Sequence, residues 1–105
     1  MPSADEWKAL LDDEPDNELV RFSYAKALMD ARRWHEAAAQ FEALVNQDPN
    51  YAIAWAHMAR CFLNAGDKVK ARATCERGWP SVRKLNHELP IEELEAIEAE
   101  LDSEF

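Results

Sequence analysis

The stretch WKALLDDEPDN, from Trp7 to Asn17, returns as FEALVNQDPNY, from Phe41 to Tyr51. At the offset that carries Trp7 onto Phe41, Pro15 falls on Pro49, Leu19 on Ile53, Ala25 on Ala59, Leu28 on Phe62, Ala31 on Ala65 and Ala37 on Ala71. Identity counts for little in an alanine-rich chain; agreement in residue class counts for more. Small residues recur where two helices must approach closely, large apolar residues recur around them at helical spacing, and proline recurs where a helix must start or stop. A period of this length, with short joints between the helical stretches, describes antiparallel helix pairs.

Composition agrees. Only two glycines and five prolines leave little for the turns of a β-sandwich, whereas the many Ala, Leu, Glu, Lys and Arg residues favour helix, so the fold class is all-α. With 105 residues the chain is expected to form one domain. No apolar run approaches a membrane span and the start, MPSADEW, lacks a signal-peptide pattern, so the expected location is the cytoplasm, without membrane association. Cys61 and Cys75 make no metal or redox spacing and are read as buried, reduced thiols.

Local signals set the helices. Ser3-Ala4-Asp5-Glu6 is a capping box opening a first helix to Asp13; Asp16 or Asn17 caps a second, to about Ala31. The next runs from Trp34 to before Pro49, another is capped by Asn50 and closes at Gly66, and a further one starts near Asp67. Gly78 and Pro80 interrupt that last helix; we favour continuity with a kink, and a short new helix from Pro80 stays open. The final helix is expected from Pro90 to Asp102, with Ile91, Leu94, Ile97 and Leu101 on one stripe, and the chain end through Phe105 is expected to fray.

The residues carrying the repeat resemble the tetratricopeptide repeat, whose pattern runs Trp-x2-Leu-Gly-x2-Tyr, Ala-x3-Phe, Pro. One copy reads Arg21-x2-Tyr24-Ala25-x2-Leu28, Ala37-x3-Phe41 and Pro49; the next reads Trp55-x2-Met58-Ala59-x2-Phe62 and Ala71-x3-Cys75. The likeness is to a small bacterial-type member with about two and a half repeats: a half repeat over 3–15, repeats over 16–49 and 50–83, and an acidic capping helix over 88–105. It implies a short right-handed solenoid. Departures are Arg21 for Trp, Arg32 where the repeat turns on Gly, and Cys75 and Gly78 for larger core residues.

The resemblance further implies a non-catalytic adaptor whose concave groove takes a peptide or helix of a partner protein. Carried onto this chain, the groove shows Phe22, Lys26 and Met29 from one repeat and Ile53, His57, Arg60, Leu63 and Asn64 from the next, with Leu19, Ser23, Asp30 and Ala56 beside them. Lys26 and Arg60, one period apart, would stack two cations on one wall; with His57 they are expected to engage an acidic segment while Phe22, Met29 and Leu63 give apolar contact.

The net charge of −9 is concentrated: residues 88–105 hold eight acids and no base, leaving 13 acids and 12 bases before them. The acidic helix is expected to cap the solenoid and to pair with the basic stretch Asp67–His87. It also offers alternatives to groove binding: self-association through that helix, giving a homo-oligomeric scaffold, or a chaperone for one client. The near-neutral body argues against nucleic acid. His35, His57 and His87 are widely separated along the chain, and no phosphate loop or nucleophile elbow is present, so no metal, cofactor or enzyme activity is expected.

Overall fold

A computed structural model of the chain describes residues 2–103. Six helices follow one another: α1 (Ala4–Asp13), α2 (Glu18–Asp30), α3 (Trp34–Gln47), α4 (Ala52–Asn64), α5 (Lys68–Leu85) and α6 (Glu88–Asp102), with no strand among the described residues. Each packs on the next along the chain, and α6 leans on both α4 and α5. The architecture is thus an all-α helical repeat.

The caps show how sequence sets these boundaries. Glu6 N–H donates to Ser3 Oγ at 3.3 Å and Ser3 N–H to Glu6 Oε1 at 3.2 Å, the reciprocal capping box. Val20 N–H donates to Asn17 Oδ1, so Asn17 rather than Asp16 caps α2. The α2–α3 and α4–α5 joints are the same turn written twice. Arg32 (φ 60) and Gly66 (φ 82) both sit in the left-handed region, and the following residues, Arg33 and Asp67, donate back to Leu28 and Phe62 at 2.9 Å. Glycine tolerates that conformation; arginine adopts it at a cost of about 1–2 kcal/mol.

Three local expectations change. Asn50 does not cap α4: its N–H donates to Asp48 Oδ1 at 3.0 Å in an Asx turn, and Tyr51 is the residue before the helix. The last helix begins at Glu88, not Pro90, because proline is tolerated throughout the first turn, where N–H groups have no intrahelical acceptor. At the other end Asp102 closes α6 and Ser103 caps it, so they are ordered where fraying was expected; Glu104 and Phe105 lie outside the described residues.

Gly78 and Pro80 do not break α5, which is continuous from Lys68 to Leu85. Gly78 is there to admit Trp55: a Cβ on it would lie 2.9 Å from Trp55 Cβ and 3.0 Å from Cγ. The core is one cluster through all six helices, with Phe41, Leu28, Leu44, Met58, Leu94 and Ile97 among its largest fully buried side chains. Cys61 and Cys75 are buried free thiols, their pKa values pushed by burial to about 12 and about 11.

The departure at Arg21 is repaired by function rather than by shape. Trp55 Nε1–H donates to the Pro49 carbonyl at 2.9 Å; one period earlier Arg21 Nη2 donates to the Pro15 carbonyl at 3.1 Å. Arginine keeps the tryptophan's donor and adds a 2.6 Å bond from Nη1 to Gln40 Oε1 on α3.

Candidate functional site: the wall of α2, α4 and α6

The residues expected to form the groove lie on α2 and α4, and they do not all form one site. At the centre is a ring cluster. Phe22 stacks on Tyr51 with centroids 5.7 Å apart and meets Phe41 at 6.0 Å and His57 at 5.9 Å, while Phe41 and His57 are 5.4 Å apart. Such pairs add about 0.5–1.5 kcal/mol beyond area burial. They tie α2 to α3 and α4 and leave one edge of Phe22 and Tyr51 half exposed.

Around this cluster lie separate concavities. Lys26 and Phe22 line one of about 710 Å³ with Pro2, Ala4, Trp7 and Ala27, between the start of α1 and α2. Met29 and Asn64 line another, at the far end of the wall, with Arg32 and Trp34. Ile53 belongs to a third, near the turn before α6. Leu63 is half-buried.

His57 is not a cation here. Burial first, then the positive charge of Lys26, lower its pKa to about 4, outweighing the opposing pull of Glu93 and Asp30. A ring with so low a pKa is uncharged near neutral pH, which weighs against the expected engagement of a carboxylate through its charge.

Arg60 is a cation already taken. Its Nε lies 2.6 Å from Glu93 Oε1 and its Nη1 2.7 Å from Glu100 Oε2, both on α6. Burial opposes the charge, and the two carboxylates outweigh it and raise the pKa. The expected wall of two free cations is therefore a wall of one. Lys26 makes no ion pair within 4 Å among the described residues.

The period explains the difference. Helix α4 starts at Ala52 and α6 at Glu88, and carrying the first start onto the second puts Glu93 and Glu100 on α6 where His57 and Asn64 stand on α4. Arg60 reaches two carboxylates on the following wall helix. Lys26, its equivalent one repeat earlier, has the neutral ring of His57 as its neighbour where Arg60 has Glu93.

The expected pairing of the acidic helix with the basic α5 includes, among the described residues, the ion pair of Arg72 with Asp102 at 2.8 Å, joined by Trp79 Nε1–H donating to Glu98 at 3.0 Å. Arg77 instead turns to Glu42 on α3 and lies over the Trp55 ring, and Arg83 lies over Trp79. Sequence reasoning missed Trp7, Tyr51 and Leu89 as wall residues. Leu89 carried a signal, because it stands second in its helix as Leu19 and Ile53 do in theirs.

Among the described residues no group of His, Cys, Asp and Glu side chains could hold a metal ion. None of the described helices is long and apolar enough to cross a membrane.

Helix pairs that repeat along the chain, small residues at the helix crossings and a half-exposed wall of alternate helices define a helical repeat protein. The tetratricopeptide repeat family model matches residues 28–87, more than half of the chain, and the chain belongs to that family. It is 36% identical over 63 residues to the TPR repeat-containing protein PA0015 of Pseudomonas aeruginosa, the alignment spanning 60% of this chain and 60% of that protein. The solution structure of protein BPP2914 from Bordetella parapertussis superposes with a TM-score of 0.80 at 24% identity, covering 97% of this chain and 89% of that one, which establishes the shared fold. Tetratricopeptide repeats are in general protein–protein interaction modules, and proteins built from them are in general non-catalytic adaptors.

Proposed function

We propose that the chain is a non-catalytic cytoplasmic adaptor that binds a segment of a partner protein on the wall of α2 and α4, repeats 16–49 and 50–83 acting as one surface. Lys26 takes a carboxylate of the partner, and Phe22, Tyr51 and Ile53 supply apolar contact. The carrying observation is the contrast between equivalent cations: Arg60 is held by two carboxylates of α6, and Lys26 has none within 4 Å among the described residues. A half-buried ammonium beside aromatic rings gains most from a carboxylate that arrives with apolar surface to exclude water.

The test is affinity capture from cell extract with the full chain, its Lys26→Arg variant and its Lys26→Glu variant. Proteins retained by the first two and lost with the third support the reading. An identical set with all three sinks it. Arg60→Glu is a poor probe, because it would repel α6 as well as any ligand.

A second reading is favoured by Arg60 itself. Helix α6 presents Glu93 and Glu100 to the wall as an acidic partner would, so the helix of a neighbouring copy could engage Lys26 in the same way, making a self-associated scaffold. Light scattering on the full chain would then give a mass that falls to the monomer with Lys26→Glu.

A further inference from the structure

Helix α5 has 18 residues where α3 has 14, and the extra turn carries the α5–α6 joint beyond the place the period assigns to it. Between that joint and the α3–α4 joint lies a cleft of about 740 Å³. Its walls are apolar: Tyr51, Ile53, Leu85, Leu89 and Pro90. Leu89 is 71% exposed at its mouth, one of few large apolar side chains left so open. Leu89 stands second in α6 as Ile53 does in α4, so the two flank the cleft from equivalent places.

The rim is acidic. Asp48 and Glu88 line the cleft, and Glu92 follows Glu88 by one turn. Glu88 and Glu92 stand one turn apart on α6, and the Glu88 carboxylate, as a hydrogen-bonding neighbour first and as a like charge second, raises the pKa of Glu92 above its ordinary value. Its pKa is raised as for a carboxylate with like charge beside it and no cation to relieve it. Among the rim carboxylates Asp48 accepts from Asn50 N–H.

We propose that this cleft is a second docking pocket, which takes an apolar side chain of a partner protein segment next to a lysine or arginine. The apolar residue fills the space between Ile53 and Leu89, and its basic neighbour is held by Asp48 and Glu88. Charge complementarity selects this occupant. A second copy of the chain is disfavoured, because an isologous contact here would bring the two acidic rims together. The inference rests on reading the chain as an interaction module but not on Lys26, which does not line the cleft. Tyr51 joins the two places, stacked on Phe22 on one side and lining the cleft on the other.

The experiment is titration of the 15N-labelled full chain with N-acetyl-Leu-Arg-amide and, in parallel, N-acetyl-Leu-Glu-amide. The expected result is saturable shifts at the amides of Tyr51, Ile53, Leu85 and Leu89 with the arginine probe, and binding about tenfold weaker with the glutamate probe. Leu89→Ser and Glu88→Gln each weaken the arginine probe severalfold, and Val69→Ser, at an exposed side chain outside the cleft, leaves it unchanged. Equal response to both probes, shifts centred elsewhere, or no saturable shift overturns the pocket. The same amides shifting on raising the protein concentration alone would make the occupant a second copy and also overturn it. The Lys26 capture experiment turns on a residue outside this cleft and the dipeptide titration on Leu89 and Glu88, so the two readings fail separately although Tyr51 and Ile53 belong to both.

Discussion

Replacing Gly78 with alanine sets two effects of opposite sign against each other. In an unobstructed helix the change stabilises by about 1 kcal/mol, because glycine loses more backbone freedom on folding. Here the new Cβ would stand 2.9, 3.0 and 3.2 Å from Trp55 Cβ, Cγ and Cδ2. Two of those atoms sit next to the α4 backbone. The ring beyond them is pinned by the 2.9 Å bond from Nε1 to the Pro49 carbonyl and lies under the Arg77 guanidinium at 5.0 Å, so it cannot swing away cheaply. Overpacking of this kind costs about 1–3 kcal/mol, and a rigid neighbour places it in the upper part, so the net loss is about 1–2 kcal/mol.

For a chain of this size that is a fall in Tm of roughly 4–8 °C. Thermal and urea unfolding followed by circular dichroism would measure it. Gly66→Ala is the control: nothing lies within 4 Å of its added Cβ, so it reports only the left-handed backbone at φ 82. If Gly78→Ala is as stable as the parent or more so, the helix-propensity term has won. The claim that this glycine exists to seat Trp55 would then be wrong.

Other perturbations follow from the same contacts. Arg32→Gly should stabilise by about 1 kcal/mol, read as a higher urea midpoint, since it removes left-handed strain at φ 60 that Gly66 does not carry. Pro80→Ala should stabilise by about 1–3 kcal/mol by restoring an i→i−4 bond inside α5, less the entropy proline removes from the unfolded chain; lower stability would contradict this. His57 has a folded pKa of about 4, below the ordinary 6.5, so the unfolded chain binds the extra proton first and stability is lost as pH falls from 6.5 towards 4. At about 1.36 kcal/mol per pH unit the loss approaches about 3 kcal/mol, and NMR titration of the ring should place the midpoint near the low value. Lys26→Gln should raise it, because one of its two depressing causes is gone. The double change Glu93→Gln with Glu100→Gln should cost about 1 kcal/mol, the carboxylates being one-third to one-half exposed, and should strengthen binding of an acidic peptide by freeing Arg60.

What the sequence made legible was whatever depends on period and local chemistry. The offset between the two copies located the helix pairs, Ser3 and Glu6 announced their capping box, and Gly66 announced its turn. What it hid depends on partners far along the chain. Arg21 looked like a defect because the pattern requires tryptophan, yet the turn requires only a donor to the carbonyl of Pro15, which arginine also supplies. Gly78 and Pro80 suggested a kink because local propensity penalises both, and Trp55, on the preceding helix, gives the glycine its reason. The candidate site suffered most. Periodicity put Lys26 and Arg60 at equivalent places on α2 and α4, but it could not show that a helix two elements beyond Arg60's own supplies two carboxylates to Arg60.

That asymmetry is where a repeat stops being a repeat. Were α6 a faithful third copy of the wall helix, neutral groups like His57 and Asn64 would recur on it and Arg60 would stay as open as Lys26. Glutamates at the equivalent places close the second cation, and their charge helps hold a helix whose buried stripe is only Pro90, Leu94, Ile97 and Leu101. At the start of the same helix Glu88 lines the cleft that the extra turn of α5 accompanies. On the proposed reading, a segment lying along the wall would meet Lys26, which shares its cavity with Trp7 and Phe22, at α2 and an acidic rim beside Leu89 at α6. A surface of opposite charge at its two ends discriminates the direction of a bound chain, which a uniform wall of two cations would not.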